Sequence, residues 1–196
     1  IIGRINVSTE GDGSSLADCS NSGTVYVKAN RGSVGGIAGV AADGFISGCQ
    51  NSGEVYYKYN KSVAQYNAVG GISSDIWGDT KVTNCTNDGY VWSRSLTKTL
   101  KQGHLVGGIV GQTDDTAVIS GCTNRGTVEG NAHTGNQSGA TAFVGGIMGY
   151  KLGSANDYDN VNRGVVRSMS YTSGYAAAGG IAGVLKAGTI SSSYNY

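Results

Sequence analysis

A four-residue phrase recurs five times along the chain. Val34-Gly35-Gly36-Ile37, Val69-Gly70-Gly71-Ile72, Val106-Gly107-Gly108-Ile109, Val144-Gly145-Gly146-Ile147 and Ala178-Gly179-Gly180-Ile181 are its copies. The second glycine falls at 36, 71, 108, 146 and 180, so the steps are 35, 37, 38 and 34 residues. A step that regular means one structural unit stacked on itself, with each unit burying its apolar face only against its neighbours. A degenerate first copy, Ile2-Gly3-Arg4-Ile5, opens the chain.

A second phrase, Cys-x-Asn-x-Gly-x-Val, lies between successive copies. It reads Cys19 to Val25, Cys49 to Val55, Cys85 to Val91 and Cys122 to Val128, then Asn160 to Val166 with Asn in the Cys place. A sixth copy breaks off at Ser193-Tyr194-Asn195-Tyr196. Each repeat reads as three short strands: the Gly-Gly-Ile segment, the apolar approach to Cys, and the alternating run after Gly such as Thr24 to Lys28. No segment carries a useful 3.6-residue apolar period. The fold expected is all-β: a parallel β-helix, or β-solenoid, of about five to six rungs with a repeat of 34–38 residues. Right-handed winding is the commoner arrangement and is the one expected. Residues 1–196 read as a single β-solenoid repeat domain, either a processed mature protein or a fragment of a longer array.

Stacking turns repeated residues into columns about 4.8 Å apart. Cys19, Cys49, Cys85 and Cys122 form one, expected to pack inward as free thiols rather than as bridges, because parallel Cβ vectors suit a disulfide poorly. Asn21, Asn51, Asn87, Asn124 and Asn162 form another, expected to be an amide ladder at a turn. There Asn would tolerate the left-handed conformation and the following Gly would supply a further positive φ. The residues after the inward valines, Tyr26, Tyr56 and Trp92, make an outward aromatic row flanked by Lys28, Lys58 and Arg94. That row is a candidate binding or interface surface for glycans or for a host or cell-surface protein.

Composition narrows the function classes. The 34 glycines come without a single proline or a G-X-Y period, which excludes collagen. A net charge of +1 without a basic block gives no electrostatic case for nucleic acid. No apolar run is long enough to span a bilayer. No C-x-x-C, paired-His or phosphate-loop motif is present, so no metal and no cofactor are expected. His104 and His133 read as solvated loop histidines. Asp43, Asp79, Asp114, Asp115, Asp157 and Asp159 read as turn residues.

At Val106 to Val128, VGGIVGQTDDTAVISGCTNRGTV, the chain resembles the GLUG-type repeats of bacterial surface proteins and adhesins. The resemblance implies an extracellular, secreted β-solenoid at the bacterial cell surface, often part of a longer protein, and brings no agreed catalytic residues. The function expected is therefore non-enzymatic: a structural or adhesive protein whose partner is itself, assembling head to tail through its open ends. Ile1, Ile2 and Ile5 at one end and Tyr194, Asn195 and Tyr196 at the other are the candidate contacts. The alternatives are a carbohydrate- or protein-binding adhesin module using the aromatic row, and a β-helix polysaccharide-active enzyme using Asp114 and Asp115.

Overall fold

The computed structural model describes residues 2–6, 14–29, 32–59, 66–95, 103–132, 141–170 and 174–196. They form a parallel β-solenoid with no helix. Five sheets run along its length, and every strand pair is parallel. The third rung shows the unit: Ser73–Trp77, Lys81–Thr83, Thr86–Asn87, Val91–Ser95 and Gly103–Gly107 supply the first to fifth sheets in turn. The first, second and third sheets have six strands and the fourth and fifth have five. A single count of rungs thus becomes six along three sheets and five along two. The last rung consists of Ala182–Leu185, Thr189–Ser191 and Tyr194–Asn195.

Each rung has five strands where the sequence reading expects three. The Gly-Gly phrase is split by a corner, so Val34–Gly35 belongs to the fifth sheet and Ala38–Ala42 to the first. A second corner, just before the Cys place, separates the strand approaching Cys from the two-residue strand holding Asn. It is made by Asp18, Gly48, Asn84, Gly121, Asp159 and Ser192, all with positive φ. The left-handed positions are therefore not in the Asn column or at the Gly two residues after it, where the sequence reading puts them. Those glycines are needed for space instead. A Cβ on Gly53 would collide with the carbonyl of Gly23 one rung below.

The repeated phrases meet at one joint. A Cβ on Gly108 would strike the Gly146 carbonyl and the side chain of Asn124. The second glycine of every Gly-Gly pair thus lets the corner backbone press against the Asn column. In that column the Nδ2 of Asn21, Asn51, Asn87, Asn124 and Asn162 each donates to Oδ1 of the Asn one rung on, at 2.7–2.8 Å. The second Nδ2 proton goes to the carbonyl two residues ahead, at 2.8–3.0 Å. Asn51, Asn87, Asn124 and Asn162 are buried, and their amides are satisfied only because the stacking is in register.

Two apolar clusters fill the tube. One stacks Ile37, Ile72, Ile109 and Ile147 against Ile46, Val82, Ile119 and the cysteines. The other packs Val55, Val91 and Val128 of the fourth sheet against Val34, Val69, Val106 and Val144 of the fifth. The cysteines are free: Cys49, Cys85 and Cys122 are buried, and Cys19 is half-buried in the end rung. Burial pushes the Cys49 thiol up to about 11, so it packs as a neutral group.

Candidate functional site

The outer face of the fourth sheet is built by strands in exact register. Val25, Val55, Val91, Val128 and Val166 align on the inner side, which forces their successors outward. Tyr26 and Tyr56 stack with ring centroids 5.1 Å apart and planes 9° apart, and Tyr56 and Trp92 at 4.4 Å and 4°. Strand spacing alone sets these distances. The consequence is that the rings occupy one another's faces. Solvent meets their edges, the two phenolic hydroxyls and the outer face of Tyr26, the most exposed of the three at 59%.

Lys28, Lys58 and Arg94 follow in the next outward column. Arg94 lies 5.6 Å from the Trp92 ring centroid and 3.6 Å from Glu129. Both carboxylates of this face are engaged. Glu54 accepts a hydrogen bond from the Trp92 indole at 2.7 Å, and Glu129 accepts one from the Tyr90 hydroxyl at 3.0 Å. Burial, helped by the Glu129 carboxylate, pushes the Tyr90 hydroxyl up to about 12, so it stays a donor. In the fourth and fifth rungs the aromatic column gives way to Glu129 and Arg167.

The described residues begin and end in sheet edges. At one, Ile2 is exposed and Ile5 is buried; Ile1 lies outside the described residues. At the other, Tyr194, Asn195 and Tyr196 are exposed, and Arg163 sits 4.6 Å above the Tyr196 ring. Beside these residues lies a recess of about 380 Å³ lined by Val166, Ala178, Gly180, Asn195 and Tyr196 among others.

Among the described residues, a buried histidine and a buried ion pair lie inside the tube, where the sequence reading places no titratable group other than cysteine. His104 is not a solvated loop residue. It sits in the strand Gly103–Gly107, fully buried, with Nδ1 2.5 Å from Ser93 Oγ and Nε2 without a partner among the described residues. Burial lowers its pKa to about 4, so the ring is neutral. Counting back two residues from the inward Val106 would have found it, since a strand alternates with period two. His133 lies outside the described residues. Asp157 is likewise not a turn residue. It points into the core at the position of Ile46, Val82 and Ile119, its Oδ2 2.7 Å from Lys151 Nζ, with both side chains fully buried. Its Oδ1 accepts the Ile119 N–H at 2.8 Å. Burial pushes the Asp157 carboxyl above its ordinary range, against the pull of Lys151.

Asp43, Asp79, Asp114, Asp115 and Asp159 lie at or beside turns. Asp43, Asp115 and Asp159 adopt positive φ. Asp43 accepts the Asp79 N–H at 3.0 Å, Asp115 accepts the Gly78 N–H at 3.3 Å, and Asp114 accepts the Asp115 N–H at 2.8 Å. Among the described residues no three His, Cys, Asp or Glu side chains gather as a metal site.

Comparison with known proteins agrees with this architecture. Residues 102–129 match the family profile described as the GLUG motif. A crystal structure of a Bacteroides ovatus protein, described as a candidate immunoglobulin A1 protease, is similar in fold with a TM-score of 0.57 and 18% identity. The alignment covers 97% of this chain and 65% of that one, so this chain spans less than two-thirds of its neighbour's length. Comparison with curated proteins gives no match. At 18% identity the likeness is one of fold. The chain is a parallel β-solenoid that carries the GLUG motif.

Proposed function

We propose that the protein is an extracellular, non-enzymatic repeat element of a bacterial surface, structural or adhesive in role, which associates end to end through its open solenoid ends. The observation that carries this reading is the polarity of the Asn ladder. Every Nδ2 donates in the same direction, from Asn21 toward Asn195. Asn195 Nδ2 is left as a donor without a partner among the described residues, and Asn21 Oδ1 receives only the Gly23 N–H at 3.3 Å. The two ends are complementary in the sense that a head-to-tail contact requires. The sheet edges are complementary as well, since stacked parallel strands match donors to acceptors.

The non-enzymatic part of the reading is supported by where the reactive groups sit. The Ser93–His104 pair is sealed in the core, and Asp114 and Asp115 are engaged in backbone turns. The test is sedimentation velocity over a range of protein concentration: end-to-end oligomers growing with concentration are expected, and a strictly monomeric species at the highest concentration overturns the proposal.

A further inference from the structure

Each of the first three rungs offers one ring and one cation on the outer face of the fourth sheet: Tyr26 with Lys28, Tyr56 with Lys58, Trp92 with Arg94. The acids of this face do not balance the cations. Glu54 is held by the Trp92 indole, and Glu129 by Tyr90 and Arg94. Lys28 and Lys58 have no acidic partner among the described residues, and neither has Arg167 in the fifth rung. Lys58 lies in register with Arg94, and Lys28 is exposed one residue beyond the paired part of the first-rung strand, so lysines without an acid recur on this side of the first two rungs, about one strand spacing apart, and leave room for an anion across them.

We propose that this face binds a linear acidic polysaccharide carrying one carboxylate on each sugar, laid along the solenoid axis. The spacing argues for it. A rise of about 4.8 Å per rung is close to the length of one pyranose unit in an extended chain, so successive carboxylates meet successive cations. The ring chemistry argues for it too. The ladder presents ring edges and the Tyr26 and Tyr56 hydroxyls, which suit sugar hydroxyls. Single-stranded nucleic acid instead needs successive free aromatic faces on which bases stack, and the facing sides of these rings are occupied by one another, which leaves the outer face of Tyr26 to solvent. The footprint ends at the fourth rung, where Glu129 and Asn131 replace the ring and the cation.

This inference rests on the extracellular placement proposed above and not on end-to-end association. The test is calorimetric titration of the intact protein at low salt with a hexameric oligogalacturonide. A neutral galacto-oligosaccharide of the same length and a single-stranded oligodeoxynucleotide serve as comparisons. Expected is saturable binding of the oligogalacturonide that weakens with added salt, with little or no binding of the other two. Lys28→Gln and Lys58→Gln each weaken it about two- to fivefold, the worth of one exposed ion pair, with Tm unchanged. No binding, equal binding of the neutral sugar or the oligonucleotide, or unchanged binding by the Lys28→Gln/Lys58→Gln double variant overturns the proposal. Sedimentation of the same samples separates this outcome from the association state: oligomers that ignore the oligogalacturonide overturn this inference alone.

Discussion

Two buried polar sites give this solenoid residue-scale properties that an all-apolar core would lack. His104 carries a folded-state pKa of about 4, below the ordinary value of 6.5. The unfolded chain therefore binds a proton that the folded chain refuses. Its contribution is fully present above pH 6.5 and is lost as pH falls toward 4, to a limit of about 3 kcal/mol. His104→Asn places in this rung the residue that Asn67 supplies one rung below. Chemical denaturation at pH 7 and pH 4 is expected to show a smaller pH-dependent loss in the variant, and an unchanged loss would contradict the assignment. The Lys151–Asp157 pair behaves differently. Asp157→Ala strands a buried ammonium, with an expected cost of about 3–5 kcal/mol. The double change Lys151→Met with Asp157→Val installs the apolar chemistry that Ile76 and Val82 provide in the third rung. It is expected to restore most of that stability or exceed it. A double variant as unstable as Asp157→Ala would show that the pair does more than fill the core.

At the scale of the element, the unit is a joint between two phrases rather than a strand. The Gly-Gly corner and the Asn column are separated in sequence, yet each is possible only against the other. Gly108→Ala drives a Cβ into the Gly146 carbonyl and the Asn124 amide. The combined overpacking and loss of a buried amide bond should cost about 3 kcal/mol or more. Gly3→Ala meets nothing within 4 Å and should stay within about 0.5 kcal/mol of the parent protein. Thermal unfolding of the two variants compares them directly, and similar Tm losses would remove the steric account of the repeat. This joint also shows what was legible in the sequence. The columns could be read because stacking repeats a residue wherever its neighbours above and below are the same. The fold class, the inward valines and the Cys column follow from that alone. The division into five strands did not, because its corners lie at Asp18, Gly48, Asn84, Gly121, Asp159 and Ser192, which share a backbone conformation and no side chain. His104, Lys151 and Asp157 were hidden because each breaks its column. Their inward direction was still countable, two residues before Val106, four after Ile147 and three before Asn160.

For the whole molecule, the stacking that makes the columns also makes the two ends unequal. A closed globule satisfies its amides internally. Here the ladder runs one way, and its last donor among the described residues is Asn195 Nδ2. The end-to-end association proposed above can be tested at that donor without touching the core. Asn195→Asp keeps the oxygen that accepts from Asn162 Nδ2 and replaces the outward donor with a second acceptor. Facing Asn21 Oδ1 of another copy, that oxygen repels where the amide would bond. The variant should therefore fold as the parent does, with its monomer stability within about 0.5 kcal/mol because Asn195 is exposed. In sedimentation velocity it should stay monomeric at concentrations where the parent forms end-to-end species. Equal association by both proteins would mean that the sheet edges alone join the units and that the amide ladder sets register within a solenoid but not between solenoids.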